Sequence, residues 1–389
     1  MLAPVLAKNV ETPRNPFRYG ALAIDDAFAD REAEVQELEF DLRNGQDVVV
    51  FAPRRYGKSS LVWRVMQRLL AAGIHVAYVN LMTAPTKEKL AEKLAGAVYE
   101  SVASPLARAR ERALAPFRGL RVTPTITVDP EEGSYSFSFA VDHATPDVDA
   151  TLERLLQLPA ELAAEHGGRV VLIFDEFQEI ETIDRELPKL MRTVFEQQPD
   201  VAHAYLGSRR HLMERLFNDE NEPFWRSAKK LELGVIESEY FADFVVEHFR
   251  ASRKAIGRAT VSELLVRTGG HPYATQQLAY FVWEQTAFDG EATELELERA
   301  VAAVLRSEHA HFQLRWDDAS TTQKLVLEAL AQEPGRPMTA GYRARYGLPS
   351  VSSIQAALRA LVERELLARD RDNSYRIAEP FLSEWIRSL

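Results

Sequence analysis

Apolar and amphipathic stretches alternate along the first 235 residues. Short apolar runs with the length and composition of buried strands lie at 47–52, 75–80, 169–177, 202–208 and 229–235. Between them are segments with apolar residues at helical spacing, such as 59–70 and 186–198. This alternation is typical of βαβ units and predicts an α/β core of about five parallel strands covered by helices.

Two regions depart from this alternation. Residues 121–141 contain two alternating runs around Asp129–Gly133, a pattern that predicts an antiparallel hairpin inserted into the core. After Gly234 the helical pattern dominates to about residue 319, and a compact last unit follows. We therefore predict an α/β core over 1–235, a helical domain over 236–319 and a third domain over 320–389.

Composition narrows the class of protein. Hydrophobic residues make up 46% of the chain and charged residues 27%, which are ordinary globular values. No cysteine is present, so disulfides and thiolate metal sites are excluded. No apolar run reaches the roughly 18 residues that span a bilayer, and the N-terminus does not resemble a signal peptide, so a cytoplasmic protein without a membrane partner is expected.

The segment "VVVFAPRRYGKSSLV", residues 48–62, has the context of a phosphate-binding loop, with an apolar strand before it and an amphipathic helix after it. Gly57, Lys58 and Ser59 fit the last three positions of G-x-x-x-x-G-K-[ST], while Ala52 replaces the first glycine. Such a loop binds phosphates with backbone amides at a helix N-terminus. In this motif the lysine reaches the β- and γ-phosphates and the hydroxyl binds Mg²⁺. The candidate nucleotide contacts are Pro53, Arg54, Arg55, Tyr56, Gly57, Lys58, Ser59 and Ser60.

A second motif supports the first. In "VVLIFDEF", residues 170–177, five apolar residues are followed by Asp175 and Glu176. At the carboxyl edge of a parallel strand, Asp175 can hold Mg²⁺ through its water shell, and Glu176 can deprotonate an attacking water. A protein that only binds nucleotide would not need the adjacent glutamate, so hydrolysis is favoured.

These motifs resemble those of the archaeal-type ATPase family, a branch of the AAA+/STAND P-loop ATPases. The likeness spans nearly the whole chain, from "NPF" at 15–17 and "FADREAEVQEL" at 28–38 through "PRRYGKSSLV" and "IFDEFQEI" to a C-terminal winged helix. In this resemblance "YLGSRRHLM" places Ser208 as a sensor of the γ-phosphate or water. The same serine fits a plain strand-end hydroxyl. "GGHPYATQQ" places His271 and Pro272 in a lid motif that approaches the nucleotide, whereas His-Pro alone marks a helix start.

The arginines are open to two readings. AAA+ ATPases commonly complete the site with an arginine from a neighbouring subunit, which the resemblance offers as Arg209, Arg210 or Arg226 and which implies a homo-oligomer. Each of these equally fits a solvated surface arginine. Arg54 and Arg55 can flank phosphates or pair with local acids.

The last unit has the pattern of a winged helix-turn-helix. Three helical segments precede a two-strand wing around Asp372 and Asn373, with Ser350 as N-cap of the third helix. The exposed face of that helix offers Ser352, Ser353, Gln355 and Arg359 for DNA contact, while Glu363 and Glu365 near its end oppose it. The wing offers Arg369 and Arg371. From Thr321 onward the chain has 10 Lys and Arg against 8 Asp and Glu, while the chain as a whole has a net charge of −11. DNA and a protein are both candidate partners.

The sequence thus predicts a P-loop NTPase core of AAA+/STAND type with an inserted β-hairpin, a helical lid and a winged helix. The expected function is Mg²⁺-dependent ATP binding and hydrolysis that acts as a nucleotide-driven switch on the winged helix. The alternative is a nucleotide-dependent scaffold or DNA-binding regulator that does not hydrolyse ATP.

Overall fold

The computed structural model describes residues 14–24, 28–29, 31–102, 122–129, 134–141, 148–166, 168–370 and 372–389. The chain divides into two compact units. One comprises residues 31–234. The other comprises residues 235–389 together with the segment before residue 31.

A five-stranded parallel sheet forms the centre of the unit 31–234. Its elements are α1 (Glu32–Arg43), β1 (Val48–Phe51), α2 (Lys58–Ala71), β2 (His75–Asn80), α3 (Lys87–Val102), β3 (Val122–Asp129), β4 (Ser134–Val141), α4 (Val148–His166), β5 (Val170–Asp175), α5 (Ile180–Ile183), α6 (Leu187–Phe195), β6 (Val201–Gly207), α7 (Arg210–Asn218) and β7 (Lys229–Glu232). The strand order is β2-β5-β6-β1-β7, and every pairing in this sheet is parallel. The three inner strands are buried along their whole length, as expected for a sheet with helices on both faces. The prediction of about five parallel strands is confirmed.

Strand β5 is shorter than the apolar run that predicted it. The run 169–177 continues to Phe177, which is fully buried, but the strand ends at Asp175. Glu176 adopts a left-handed backbone conformation with φ of 52°, and a 3-10 turn, Phe177–Glu179, follows. Phe177 is therefore a buried residue of the turn and not of the strand. The apolar pattern continues through both elements, so it does not show where the strand ends.

The inserted hairpin is confirmed by its backbone pairing. Strands β3 and β4 are antiparallel and pair in continuous register from Val122 with Val141 to Asp129 with Ser134. The predicted connecting residues 130–133 lie outside the described residues.

The second unit is largely helical. Its elements are α8 (Ser238–Ala251), β8 (Ala255–Ile256), α9 (Arg258–Thr268), α10 (Pro272–Gln285), β9 (Glu291–Ala292), α11 (Glu294–Asp317), α12 (Thr321–Gln332), α13 (Ala340–Tyr346), α14 (Val351–Glu363), β10 (Leu367–Arg369), β11 (Tyr375–Ile377) and α15 (Pro380–Arg387). Helices α12, α13 and α14, followed by β10 and β11 as an antiparallel wing, have the predicted winged-helix order, and α15 after the wing was not predicted. The Ser350 side chain caps α14 by accepting from the backbone of Ser353, as predicted.

The helical region and the winged helix share one hydrophobic core. On the long helix α11, Phe312 and Trp316 have ring centroids 6.1 and 6.3 Å from that of Trp385 in α15. The indole nitrogen of Trp385 also donates to Nδ1 of His309, at 3.0 Å. Helix α11 therefore belongs to both halves of this unit, and the predicted boundary between residues 319 and 320 stays a prediction. No helix in the described part of the chain is long and apolar enough to cross a membrane.

Candidate active site

The loop between β1 and α2 has the geometry of an anion-binding turn. The backbone amide of Tyr56 donates to the carbonyl of Pro53 at 3.3 Å, which closes a turn before the helix. Gly57 follows with φ of 82°, a left-handed conformation that disfavours any side chain, and α2 starts at Lys58. The amides in the first turn of a helix have no partner within it, and the helix dipole is positive there. The loop therefore presents donors to a negatively charged group.

Side chains of the loop divide into buried and exposed ones. Tyr56, Lys58 and Ser60 are buried, whereas Ser59 is exposed at the first turn of α2. Pro53 and Gly57 are half-buried. Arg54 and Arg55 are exposed, and Arg55 has a positive φ of 67°.

Ala52 does not disturb the loop. Its side chain is buried, with 1% exposed, and it is not among the residues with positive φ. Glycine is therefore not required at this position by the backbone, and the methyl group packs inside the protein.

Arg31 is a buried side chain that binds the backbone of the loop. This arginine is 3% exposed, and its Nη2 donates to the carbonyls of Tyr56, at 3.1 Å, and Gly234, at 2.6 Å. Its Nη1 binds Glu34 at 2.9 Å. A buried guanidinium that binds two carbonyls and one carboxylate fixes the backbone just before Gly57.

Lys58 joins the two predicted acids. Its Nζ lies 2.7 Å from Oδ1 of Asp175 and 2.8 Å from Oε1 of Glu176. All three side chains are at most 15% exposed. The structure thus brings the lysine of the first motif and both acids of the second into one cluster, at the carboxyl edge of the sheet.

The second oxygen of Glu176 is held by two further donors. Ser208 Oγ donates to Oε2 at 2.8 Å, and Nε2 of Gln178 donates to the same oxygen at 2.6 Å. Burial raises the pKa of Glu176, but the charge and hydrogen bond of Lys58, with the two other donors, outweigh burial and leave the pKa below its usual value. Glu176 is therefore a carboxylate at neutral pH, the form that a proton acceptor needs.

Gly207 permits this arrangement by having no side chain. A Cβ at this position would lie 2.3 Å from a carbon of Met213 and 2.7 Å from Oε1 of Gln178. A side chain on the last residue of β6 would therefore require Met213 and Gln178 to shift from these positions. Oε1 of Gln178 is itself buried and has no hydrogen-bond partner among the described residues.

Asp175 is held by donors from three directions. Oδ1 accepts from Lys58 and from the backbone amide of Glu176, at 2.9 Å, while Oδ2 accepts from the hydroxyl of Tyr78 at 2.6 Å. Burial, followed by the charge of Asp175, raises the pKa of Tyr78, so the phenol stays protonated and remains a donor.

The donor set fits Mg²⁺ bound together with a nucleotide. Within the described ranges no group of three or more histidine or acidic side chains could hold a metal by itself. Magnesium in nucleotide sites is usually bound by one or two protein oxygens, with phosphates and waters as the other ligands. Asp175 and the hydroxyl of Ser59 can supply those protein oxygens.

His271 and Pro272 lie in the other unit. Helix α10 begins at Pro272, and Nδ1 of His271 accepts from the backbone of Ala274 at 3.3 Å, so the histidine caps that helix. Their approach to a nucleotide stays a prediction.

The three candidate arginines differ in their pairing. Arg209 lies 3.6 Å from Glu179, and Arg210 binds Glu214 and Glu232. Arg226 is exposed and stacks over the ring of Trp225, with the guanidinium carbon 5.0 Å from the ring centroid. No ion pair of Arg226 is seen within the described residues. A role for any of the three in a neighbouring subunit stays a prediction.

Sequence reasoning named Lys58, Asp175, Glu176 and Ser208 but missed three supporting residues. Arg31 and Gln178 stand inside segments that the family resemblance quoted, but both segments are rich in charged and polar residues, so nothing in the sequence singled the two out. Tyr78 gave no signal either, because tyrosine is common in strands.

Comparisons with known proteins were made for family and for fold. A family model described as an ATPase domain predominantly from Archaea matches residues 28–278, and one described as a probable winged helix domain matches residues 310–388. No curated protein matches the chain.

Two solved structures illustrate the likeness in fold. A Walker-type ATPase of Pyrococcus abyssi is similar with a TM-score of 0.64 at 18% identity, over 94% of this chain and 97% of that chain. The ORC2 protein of Aeropyrum pernix, in ADPNP–ADP complexes, is similar with a TM-score of 0.56 at 15% identity, over 92% of this chain and 93% of that chain. At these identities the likeness concerns the fold alone.

Proposed function

Because the chain belongs to the family of ATPase domains found predominantly in Archaea, we propose that it binds ATP with Mg²⁺ and hydrolyses the bond to the γ-phosphate. The observation that carries this proposal is the contact of Lys58 with both Asp175 and Glu176 beside the glycine-containing loop. A loop that only bound phosphate would not require a second, ionised acid oriented by its own donors.

The proposed binding step exchanges partners of Lys58. Backbone amides of the loop and the ammonium group bind the β- and γ-phosphates, so Lys58 leaves the two carboxylates. Asp175 and Ser59 would hold Mg²⁺, which would supply charge neutralisation at the phosphate oxygens. Arg31 keeps the loop backbone in place throughout.

The proposed chemical step is attack of water on the γ-phosphorus. Glu176 accepts the proton of that water, the bond from the γ-phosphorus to the bridging oxygen breaks, and ADP and phosphate are the products. Ser208 and Gln178 keep the glutamate pointed at the water through Oε2. General-base catalysis of this kind contributes on the order of 10²–10⁴-fold in rate.

Steady-state phosphate release tests hydrolysis. We expect turnover by the wild type and a loss of on the order of 10²-fold or more in Glu176→Gln, with ATP still bound, because an amide cannot accept the proton. Glu186→Gln, which changes an exposed glutamate of the same unit, is the matched control and should turn over normally. A wild type that binds ATP without releasing phosphate would instead support the non-hydrolysing scaffold.

We further propose that the nucleotide state acts on the winged helix, which contacts DNA or a protein partner. The exposed face of α14 carries Ser352, Ser353, Gln355 and Arg359, as predicted. Neighbouring arginines are already paired, for example Arg345 with Glu333. Since few cations remain for phosphates, DNA affinity should be weak, and it should fall with salt only with the shallow slope that few phosphate contacts give.

A mobility-shift assay on duplex DNA at low salt, with and without ATP, separates the two partners. DNA contact predicts a shift that is lost in the double variant Arg359→Glu with Arg369→Glu. Arg371, also predicted to contact DNA, lies outside the described residues. Arg387→Glu makes one such charge reversal on α15 and should keep the shift. No shift in either nucleotide state would favour a protein partner.

A further inference from the structure

Tyr78 stands on an edge strand beside the acid that is proposed to hold the metal. Strand β2 pairs in parallel with β5, with Asn80 opposite Asp175 and Tyr78 opposite Ile173. Side chains two residues apart on a strand point to the same face, and a long side chain reaches the diagonal neighbour on the adjacent strand. Tyr78 is therefore diagonal to Asp175 and on its side of the sheet.

Tyr78 and Asp175 form a short hydrogen bond, and the two residues differ in solvent exposure. The hydroxyl of Tyr78 donates to Oδ2 of Asp175 at 2.6 Å; the tyrosine is 37% exposed and the aspartate 3%. The other oxygen, Oδ1, is the one that accepts from Lys58 and from the backbone of Glu176. The two carboxylate oxygens of Asp175 are thus distinguished by their partners.

We propose that Tyr78 is a positioning residue for the metal site: its hydroxyl holds Oδ2 of Asp175, so that Oδ1 is the oxygen presented to Mg²⁺ once Lys58 has moved to the phosphates. This inference rests on the proposed ATPase function and adds a residue to it. The bond to Tyr78 does not involve Lys58, so it persists when the lysine changes partners.

The Tyr78 hydroxyl should matter for Mg²⁺ binding because it limits rotation of the Asp175 carboxylate. Without the tyrosine hydroxyl, Oδ2 loses its donor, and the carboxylate can turn away from the geometry that Mg²⁺ and its waters require. Partners that orient metal ligands typically change metal affinity by about 10–100-fold when they are removed. Because Mg²⁺ in nucleotide sites usually keeps several waters, an effect of about tenfold is expected.

Calorimetric titration of ATP at a series of Mg²⁺ concentrations tests the role of Tyr78 without relying on turnover. Tyr78→Phe keeps the ring and removes the hydroxyl. It should raise the Mg²⁺ concentration at half-maximal ATP binding about tenfold, while ATP affinity without Mg²⁺ stays at the wild-type value. Tyr240→Phe, at a residue 54% exposed on α8, is the matched control and should change neither.

A double variant shows whether the hydroxyl acts through Asp175. In an Asp175→Asn background, adding Tyr78→Phe should produce little further change in Mg²⁺ dependence, since coupled residues are not additive. Fully additive effects would overturn the proposal.

The remaining outcomes separate this inference from the proposed function. Wild-type protein that shows no Mg²⁺-dependent ATP binding would overturn both. Normal Mg²⁺ dependence in the wild type and an unchanged one in Tyr78→Phe would overturn only the role of Tyr78. An equal loss of ATP affinity with and without Mg²⁺ would also overturn it, because the hydroxyl would then support the loop and not the metal.

Discussion

The two ends of strand β1 each lie beside a buried ionisable group, but the groups are built differently. After the carboxyl end comes the phosphate loop, where Lys58 is shared by two carboxylates. Before the amino end stands Asp47, whose Oδ1 accepts from the backbone amide of His203 at 2.8 Å and from its ring Nδ1 at 3.0 Å. The His203 ring is 1% exposed and stacks on Phe195, with centroids 3.9 Å apart.

The two clusters differ in whether a cation in them can be transferred to a bound ligand. Lys58 is a mobile cation beside a helix N-terminus, so an anionic ligand can take it from the acids. Asp47 binds groups fixed on the neighbouring strand β6 and has no comparable cation to release. The buried polar groups therefore serve ligand binding at the carboxyl end of β1 and strand alignment at its amino end. Substitutions at the carboxyl end should change ATP affinity, and substitutions at the amino end should change stability.

The largest effect is expected at the carboxyl end. Lys58→Ala removes the cation that neutralises the phosphates and should weaken ATP binding by about 3 kcal/mol, or about 100-fold in Kd. Titration calorimetry measures the affinity, and circular dichroism shows that the variant is folded. Lys89→Ala, which removes an exposed lysine on α3, should bind as the wild type does. Wild-type affinity in Lys58→Ala would remove the distinction between the two ends.

An intermediate effect, on stability, is expected at the amino end. Asp47→Ala leaves the amide and ring of His203 without an acceptor, which should cost about 2 kcal/mol and lower the thermal midpoint of this 204-residue unit by about 6 °C. ATP affinity should not change. Asp47→Asn keeps one acceptor oxygen and should lose less. A drop in ATP affinity for Asp47→Ala with an unchanged thermal midpoint would contradict a purely structural role for the amino end of β1.

The smallest effect is expected for Ala52→Gly, at the residue that follows β1. The backbone there does not need glycine, and the buried methyl would be lost, so a destabilisation of about 1 kcal/mol and a less than threefold change in ATP affinity are expected. Thermal scans and ATP titration measure the two quantities. A large gain in affinity would mean that Ala52 impairs the loop.

The fold and the charged residues of the site were predictable because they depend on local pattern. The parallel strands were visible as apolar runs, and Lys58 and Asp175 follow motifs whose spacing reflects the strand–loop–helix path of the chain. The family and the winged helix were confirmed. The roles of the individual site residues remain predictions.

The residues that support the site were not predictable for a physical reason. Tyr78 reaches Asp175 because β2 pairs with β5 in one register, and the Gln178 side chain packs against Gly207 of β6, where a side chain would displace it. Pairing register and close approach between segments distant in sequence leave no periodic trace in a single chain. The left-handed conformation of Glu176 was hidden in the same way, since the apolar pattern ran past it.

Helix α11 has a mechanical consequence. Its 24 residues make a rod about 36 Å long, because each residue adds about 1.5 Å. Thr293 caps its first turn, and its last turns pack on Trp385 of the winged helix without an intervening flexible linker. Such a rod acts as a lever: a tilt of about 10° about its first turn would carry the far end through about 6 Å. A small displacement at one end of this unit is thereby amplified where the winged helix is attached.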